Sequence, residues 1–452
     1  MTDAPPAPSP GPRRARAGAG PDRAWAVAGG LVALALVPLA FLGPGTDLDV
    51  GAVLRSGRGI VEGTYAPSRN PGAPVHEAAV GALQWLAGTV GPNLGSLVAA
   101  AALTVVLALL LRREGVGRAG LAVAVVVANP WFLVAATSTV DFLWALALWA
   151  GAALVLRARA GLGGAAGAGV LGGLAVGCRA STAVLVAGLA LAEALDRSPR
   201  PGARADGGRP DDPGPAAASG RDRAGGDGLS AGSSAPSGGG PSAGPGPQVR
   251  ALVLAAVTAV VGLVLFLPAF LSSDGSLAFA QNDVPTSSVA VQVGRFLAKD
   301  LYFVGPFAAV VLVGALPALA RTAARWRADW LVRLGLLTLL ASQLLFLRFP
   351  WKMGHLLPTL VGLALVAARA LGPRPRLLAA LVGAQLLYAV VSVQLLTPNT
   401  PNAATGARLT FEPRWGALVV DVQCRLDDPE AWEGPGIARL HAVWDCAKPW
   451  AG

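Results

Sequence analysis

"LGSLVAAAALTVVLALLLRR", residues 94–113, runs for eighteen positions without a charged side chain and then ends on Arg112 and Arg113. Eighteen residues of helix rise by about 27 Å, close to the thickness of a bilayer's hydrocarbon core. The pattern recurs along a sequence that is 54% hydrophobic and only 14% charged: apolar runs separated by short, arginine-bearing gaps. So many all-apolar segments in 452 residues leave no polar faces from which to build a soluble exterior. The fold class is therefore an all-α polytopic membrane protein. The runs predict about eleven transmembrane helices, at 24–42, 94–111, 118–137, 140–156, 163–178, 180–195, 250–271, 302–320, 330–347, 353–370 and 376–396.

Arg112 and Arg113 also set the orientation. Arg13, Arg14, Arg16 and Arg23 precede the first run, and alternate exits carry Arg118, Arg157, Arg159, Arg321, Arg325, Arg327, Arg333, Arg369, Arg374 and Arg376 to the same side. Because cytoplasmic loops hold the excess of arginine, the N-terminus is expected in the cytoplasm and the C-terminus outside, in a multi-pass cell-membrane protein. The apolar stretch 76–90 is excluded as a span, since counting it would move Arg112 and Arg113 across the membrane. It is expected to lie in, or dip into, the outer interface. No small-residue cleavage site follows the first run, which reads as an anchor and not a removed signal. The net charge of +10 sits at the ends of runs and forms no basic stripe with interleaved aromatics, so no nucleic-acid partner is expected.

Composition divides the chain further. Residues 1–23 read as a disordered cytoplasmic N-terminus, 24–196 as an N-terminal membrane module with a first outer loop at 43–93, and 250–396 as a C-terminal membrane module. Between the modules, 197–249 is Gly, Pro, Ser, Ala, Arg and Asp with hardly an aliphatic residue, too little apolar surface to offset ordering entropy. It is expected to be a disordered cytoplasmic loop. In the extracytoplasmic tail 397–452, "RLTF" and "ALVVDV" alternate enough to suggest short strands. Cys424 and Cys446 share that tail, where an oxidising environment favours a disulfide. Cys178 falls within a run and reads as a small apolar filler.

Against this background the first outer loop gathers four carboxylates, Asp47, Asp49, Glu62 and Glu77. A carboxylate beside a bilayer costs desolvation energy unless it is solvated or employed. Thr46 and Asp47 read as a helix N-terminus. From Val50 onward, Val53, Leu54, Ile60 and Val61 lie at helical spacing opposite Arg55, Arg58 and Glu62, which predicts an amphipathic surface helix. Capping needs only one acid, and in an extended segment Asp47 and Asp49 point the same way, toward one ligand or metal.

This order of features resembles the GT-C superfamily of membrane glycosyltransferases that use polyprenyl-phosphate sugars, in particular its protein mannosyltransferase and aminoarabinose transferase branches. The likeness is carried by the outer-loop Asp-x-Asp, the surface helix and "TYAPSRNPGAPVHE", then by "ANPWFLVAATSTVDFLWALALW", "GVLGGLAVGCRASTAVLV" and "FPWKMGHLLPTLVGL". It covers 24–196 and, more loosely, 250–396. The resemblance implies a general base among the outer-loop acids, taking the proton from an acceptor hydroxyl as that hydroxyl attacks the anomeric carbon. Asp49 is the expected base, with Asp47 next. The pair could also hold a divalent cation, Mg or Mn. The leaving group is already a phosphate, so no general acid is needed, unlike glycoside hydrolysis.

Cations for the phosphate are expected from Arg69, Arg179, Lys352 and His355, which fall at outer ends of the runs, with Asp141 as a further outer-facing acid. Each has a plainer reading as well: a turn for Arg69-Asn-Pro-Gly, a helix cap for Asp141, snorkelling for Lys352, a satisfied polar residue for His355. Arg179 interrupts an apolar run, which favours function. The expectation is that Asp47, Asp49, Arg69 and Arg179 converge on one outer-facing cavity open to lipid, carboxylates and arginines about a sugar ring apart. The implied partners are a polyprenyl-phosphate sugar donor, a polar extracytoplasmic acceptor and membrane lipids. A transporter or lipid flippase, and a non-catalytic envelope-assembly partner, are the alternatives. The abundance of Ala, Gly and Arg over Lys fits a GC-rich bacterial gene with a cell-envelope role.

Overall fold

The computed structural model describes residues 34–47, 49–196, 245–272, 289–348, 353–396 and 409–427. Within them the chain is almost entirely helical. Two short helices come first, α1 (Val50–Val61) and α2 (Pro74–Ala87), followed by α3 (Val90–Arg113). Next come α4 (Ala119–Val127), α5 (Pro130–Ala136), α6 (Phe142–Ala158), α7 (Gly161–Cys178) and α8 (Ala183–Ala194). The second half holds α9 (Pro247–Ser272), α10 (Val289–Val304), α11 (Pro306–Ala323), α12 (Trp330–Arg348), α13 (Leu357–Leu371) and α14 (Pro375–Val390). A two-stranded antiparallel sheet of β1 (Val391–Leu396) and β2 (Leu409–Trp415) leads into α15 (Ala417–Asp427).

Six helices among the described residues are long and apolar enough to cross a membrane, or seven if one bent pair counts as a single span. The chain is a multi-span membrane protein, and among the described residues fewer helices reach full spanning length than the eleven spans that the runs predict. The difference has local causes. The run 118–137 is broken into α4 and α5, bent by 77°. Pro130 has no N–H to give and biases the residue before it to extended backbone; Asn129 is extended there and caps Trp131 N at 3.0 Å. Three other runs form shorter helices, Phe142–Ala158, Ala180–Ala194 and Pro375–Val390. The last of these stops because β-branched Val390 and Val391 lead into β1, so 391–396 is strand and not span. Most of the run 24–42, all of residues 1–23 and residues 197–244 of the expected loop 197–249 lie outside the described residues, while 247–249, expected in that loop, form the start of α9.

Helix α2, from the stretch 76–90, is only fourteen residues long, too short for a span, and packs on α1 and α3 as a non-spanning element. The α1–α2 contact is backbone on backbone. A Cβ on Gly81 would stand 2.1 Å from Gly57 O, so only glycine permits the approach. Helix α1 buries Val50, Val53 and Leu54 and leaves Arg55 and Arg58 exposed, as its amphipathic spacing predicts.

Helices α8 and α9, which flank the long loop, pack together, and both pack with α7. Arg157 and Arg333, two of the arginines that the charge pattern assigns to one side, meet at Asp196, and further arginines at the ends of runs are buried. Arg157 reaches Glu114 at 2.8 Å and Asp196 at 2.7 Å, and Arg250 reaches Glu193 at 3.1 Å with both side chains fully buried. These arginines join helices, a packing duty that topology alone does not require. Helix α6 runs from Asp141 at one end of the bundle to Arg157 at the other.

In the tail, Leu409 onward is strand, but "ALVVDV" belongs to helix α15, where buried Asp421 and Arg425 pair at i and i+4. A six-residue alternation is too short to separate the two conformations. Cys424 is on α15, while Cys446 and hence the expected bridge lie outside the described residues.

Candidate functional site

At the Asp141 end, four charged side chains form a continuous ion-paired row. Arg69 Nη1 donates to Asp49 Oδ2 at 2.6 Å, the other Arg69 amine donates to Asp141 Oδ2, and Arg179 Nη1 donates to Asp141 Oδ1 at 2.7 Å. Each member comes from a different segment: the start of α1, the loop before α2, the start of α6 and the end of α7. Asp141 is 2% exposed. It makes no side-chain cap bond to its own helix, so the capping reading gives way to a double arginine contact. Arg179 also lies over the Phe142 ring, 4.0 Å from its centroid.

Asp47 is buried, and its carboxylate accepts the Asp49 N–H at 2.8 Å, so one acid orients the backbone that carries the other. Asp49 has the more accessible carboxylate, at 32% exposure. Two adjoining cavities share Phe142. A smaller one is lined by Asp47, Asp49, Val53, Arg69, Thr139 and Asp141. A larger one is mostly apolar, with Leu146, Leu185, Leu345 and Pro358 beside Arg179 and His355. Where one cavity is expected, the acids and Arg69 line the smaller and Arg179 the larger, and the two linings meet at Phe142. The expected spacing also differs, since Arg69 touches Asp49 directly where a sugar-ring gap was predicted. Two carboxylates and two guanidiniums this close balance one another only in contact.

His355 lies against the Phe142 ring, centroids 5.7 Å apart. Lys352 lies outside the described residues. Among those residues no group of three or more His, Cys, Asp or Glu could hold a metal ion, and Asp47 and Asp49 come as a pair with Arg69 beside them.

Loop 62–73 is tied down by Glu77, an acid to which the sequence reading gives no role. Its carboxylate accepts from Tyr65 Oη at 2.7 Å, Ser68 N at 2.9 Å and Ser68 Oγ, fixing the residue before Arg69. Burial, with the Glu77 charge and hydrogen bond, pushes the Tyr65 hydroxyl well above its ordinary range, so it stays a donor. Burial pulls Arg69 down, but the Asp141, Asp49 and Asp47 carboxylates more than reverse this and fix its charge. Asn93, also unread in the sequence, donates to Ala40 O and Gly43 O and accepts from Thr139 Oγ1 at 2.9 Å. It thereby joins the acid loop to the segment before Asp141. Gly45, at φ +114°, leaves no room for a Cβ against Ser138.

His76 adjoins this cluster, fully buried and edge-on to Trp144, with ring centroids 5.6 Å apart. Burial holds it down to about 4, with Arg69 and Arg179 adding to that and Asp141 and Glu77 opposing it. The folded value lies below the ordinary 6.5, so between these two values the unfolded chain binds a proton that the folded chain does not. Stability conferred by neutral His76 is therefore complete above pH 6.5 and is lost as pH falls toward 4, by roughly 3 kcal/mol at most. Melting temperatures measured from pH 7.5 to 4 should fall less steeply for His76→Phe than for the wild type. Parallel curves would show that His76 does not titrate in this way.

No family model, curated protein or solved structure matches this chain.

Proposed function

We propose that the chain is an integral membrane glycosyltransferase of GT-C type, moving a hexosyl or pentosyl unit from a polyprenyl-phosphate donor to an acceptor hydroxyl outside the cytoplasm. The observation that carries this reading is the row Asp49–Arg69–Asp141–Arg179 at the seam between a small acid-lined cavity and a larger apolar one. A lipid-linked sugar has the same division: an apolar chain, one phosphate, and a polar ring beyond it. The larger cavity suits the lipid side, with Arg179 and His355 on the phosphate, and the smaller one suits the sugar and acceptor.

Asp49 acts as general base, accepting the acceptor's hydroxyl proton as the new C–O bond forms at the anomeric carbon. The anomeric carbon–oxygen bond to phosphate breaks, and lipid phosphate leaves with the electron pair, stabilised by guanidinium. In the resting chain Arg69 holds Asp49, and a donor phosphate competes for the same guanidinium, so the base is released when donor is present. Asp47 and Asp49 are also the residues that would hold Mg2+ or Mn2+, which would supply further neutralisation of phosphate charge. The acidic end faces outward, as the arginine distribution predicts.

A second reading, a transporter, draws on the bent α4–α5 pair. It ranks lower because the break is filled by the chain's own groups: Asn129 Nδ2 donates to Phe303 O and Gln385 Oε1. Lipid analysis of a strain lacking the gene separates the two. A transferase leaves a polyprenyl-phosphate sugar to accumulate together with loss of its envelope product, whereas an unchanged pool of such lipids would overturn the proposal.

A further inference from the structure

The C-terminal segment, which the sequence likeness does not cover, places a buried ion pair against both acid-bearing segments of the site. Asp421 and Arg425 on α15 are each 1% exposed and 2.8 Å apart. Asp421 Oδ1 accepts from Thr46 Oγ1 at 2.6 Å, immediately before Asp47. Arg425 Nη1 donates to Leu39 O at 3.1 Å and Thr137 O at 2.8 Å, and its other amine donates to Ser138 Oγ. One guanidinium therefore spans from the strand of chain that leads to Asp47 and Asp49 to the one that leads to Asp141. Arg69 bridges those same two segments on the cavity side. The start of α15 is fixed in turn, since Gly416 N donates to Val390 O at 2.7 Å and a Cβ on Gly416 would stand 2.3 Å from Ala389 O.

Burying an ion pair costs desolvation that apolar packing would avoid, so its contribution here is geometric. A planar fork with several fixed donors holds two carbonyls and a hydroxyl at a set separation, which a lysine ammonium does not. We infer that the C-terminal helix sets the width of the gap between Asp49 and Asp141, with Asp421 and Arg425 as positioning residues. This deepens the proposed function and rests on it only for the turnover measurement below.

The test uses the full chain in detergent micelles, carrying Thr139→Cys as a reporter, because Thr139 is 1% exposed and lines the smaller cavity. Labelling by a water-soluble maleimide is read site by site by peptide mass spectrometry, with buried Cys178 as the internal control. Arg425→Ala should speed labelling at the reporter by about tenfold or more, as expected when one partner of a buried pair is removed. Thr46→Val, which deletes the hydrogen bond to Asp421 and leaves the Asp421–Arg425 pair intact, should speed it about fivefold. Labelling at Cys178 should not change. An unchanged reporter, or equal rises at reporter and Cys178, would overturn the positioning role; if Arg425→Ala does not fold, Thr46→Val decides alone. In a transfer assay Arg425→Lys should lower kcat while leaving the donor KM within a few-fold. A chain with no transfer activity but a faster reporter would remove the proposed function and leave the positioning role standing.

Discussion

If the proposed function holds, replacing Asp49 by Asn should lower sugar transfer by roughly two to four orders of magnitude, the range that a positioned general base supplies. The exchange keeps the shape of the side chain and its capacity to accept a hydrogen bond from Arg69, but removes the carboxylate that the proposal assigns to the acceptor's proton. Asp49 is 32% exposed and shares Arg69 with Asp141, so the stability cost should stay below about 1 kcal/mol, in the range of a part-exposed ion pair. Loss of turnover with an unchanged melting temperature is the expected result, measured with a labelled polyprenyl-phosphate sugar and purified protein. Turnover within a few-fold of wild type would remove Asp49 as the base. Asp47 would not inherit the role by default, because it is buried and occupied by the Asp49 N–H.

The largest effect on folding is expected at Asp141. Its two oxygens hold Arg69 and Arg179 from two different segments, and it is itself 2% exposed. Asp141→Ala leaves two guanidiniums facing one another without their shared anion, and breaking a buried pair in this way costs about 3–5 kcal/mol. Asp141→Asn keeps one acceptor oxygen and should cost less. Thermal melting in one detergent at fixed pH gives the comparison: a drop of less than about 1 kcal/mol for the alanine variant would mean that the row is held by its backbone and not by its charges. Both variants should also loosen Arg179 from the Phe142 ring, at the join between the two cavities.

Period and charge placement were enough to read the membrane class, the helical character of nearly every run and the amphipathic α1. These properties depend on residues within one or two turns of each other, and a bilayer imposes them locally through hydrogen-bond satisfaction and arginine asymmetry. That Asp47, Asp49, Arg69, Asp141 and Arg179 need partners was legible as well, because charge beside an apolar run is costly wherever the chain goes next. The lengths of individual helices were not, since Asn129-Pro130 breaks a run whose composition is continuous, and Val391 turns the end of another into strand. Nor could the sequence show that Arg69 contacts Asp49 directly, that Glu77 anchors its loop, or that Arg425 reaches Thr137 across 288 positions. Local patterning states which charges must find partners. The partners themselves were decided only when packing brought distant segments within hydrogen-bond distance, where a buried charge is stable against its own opposite and nowhere else.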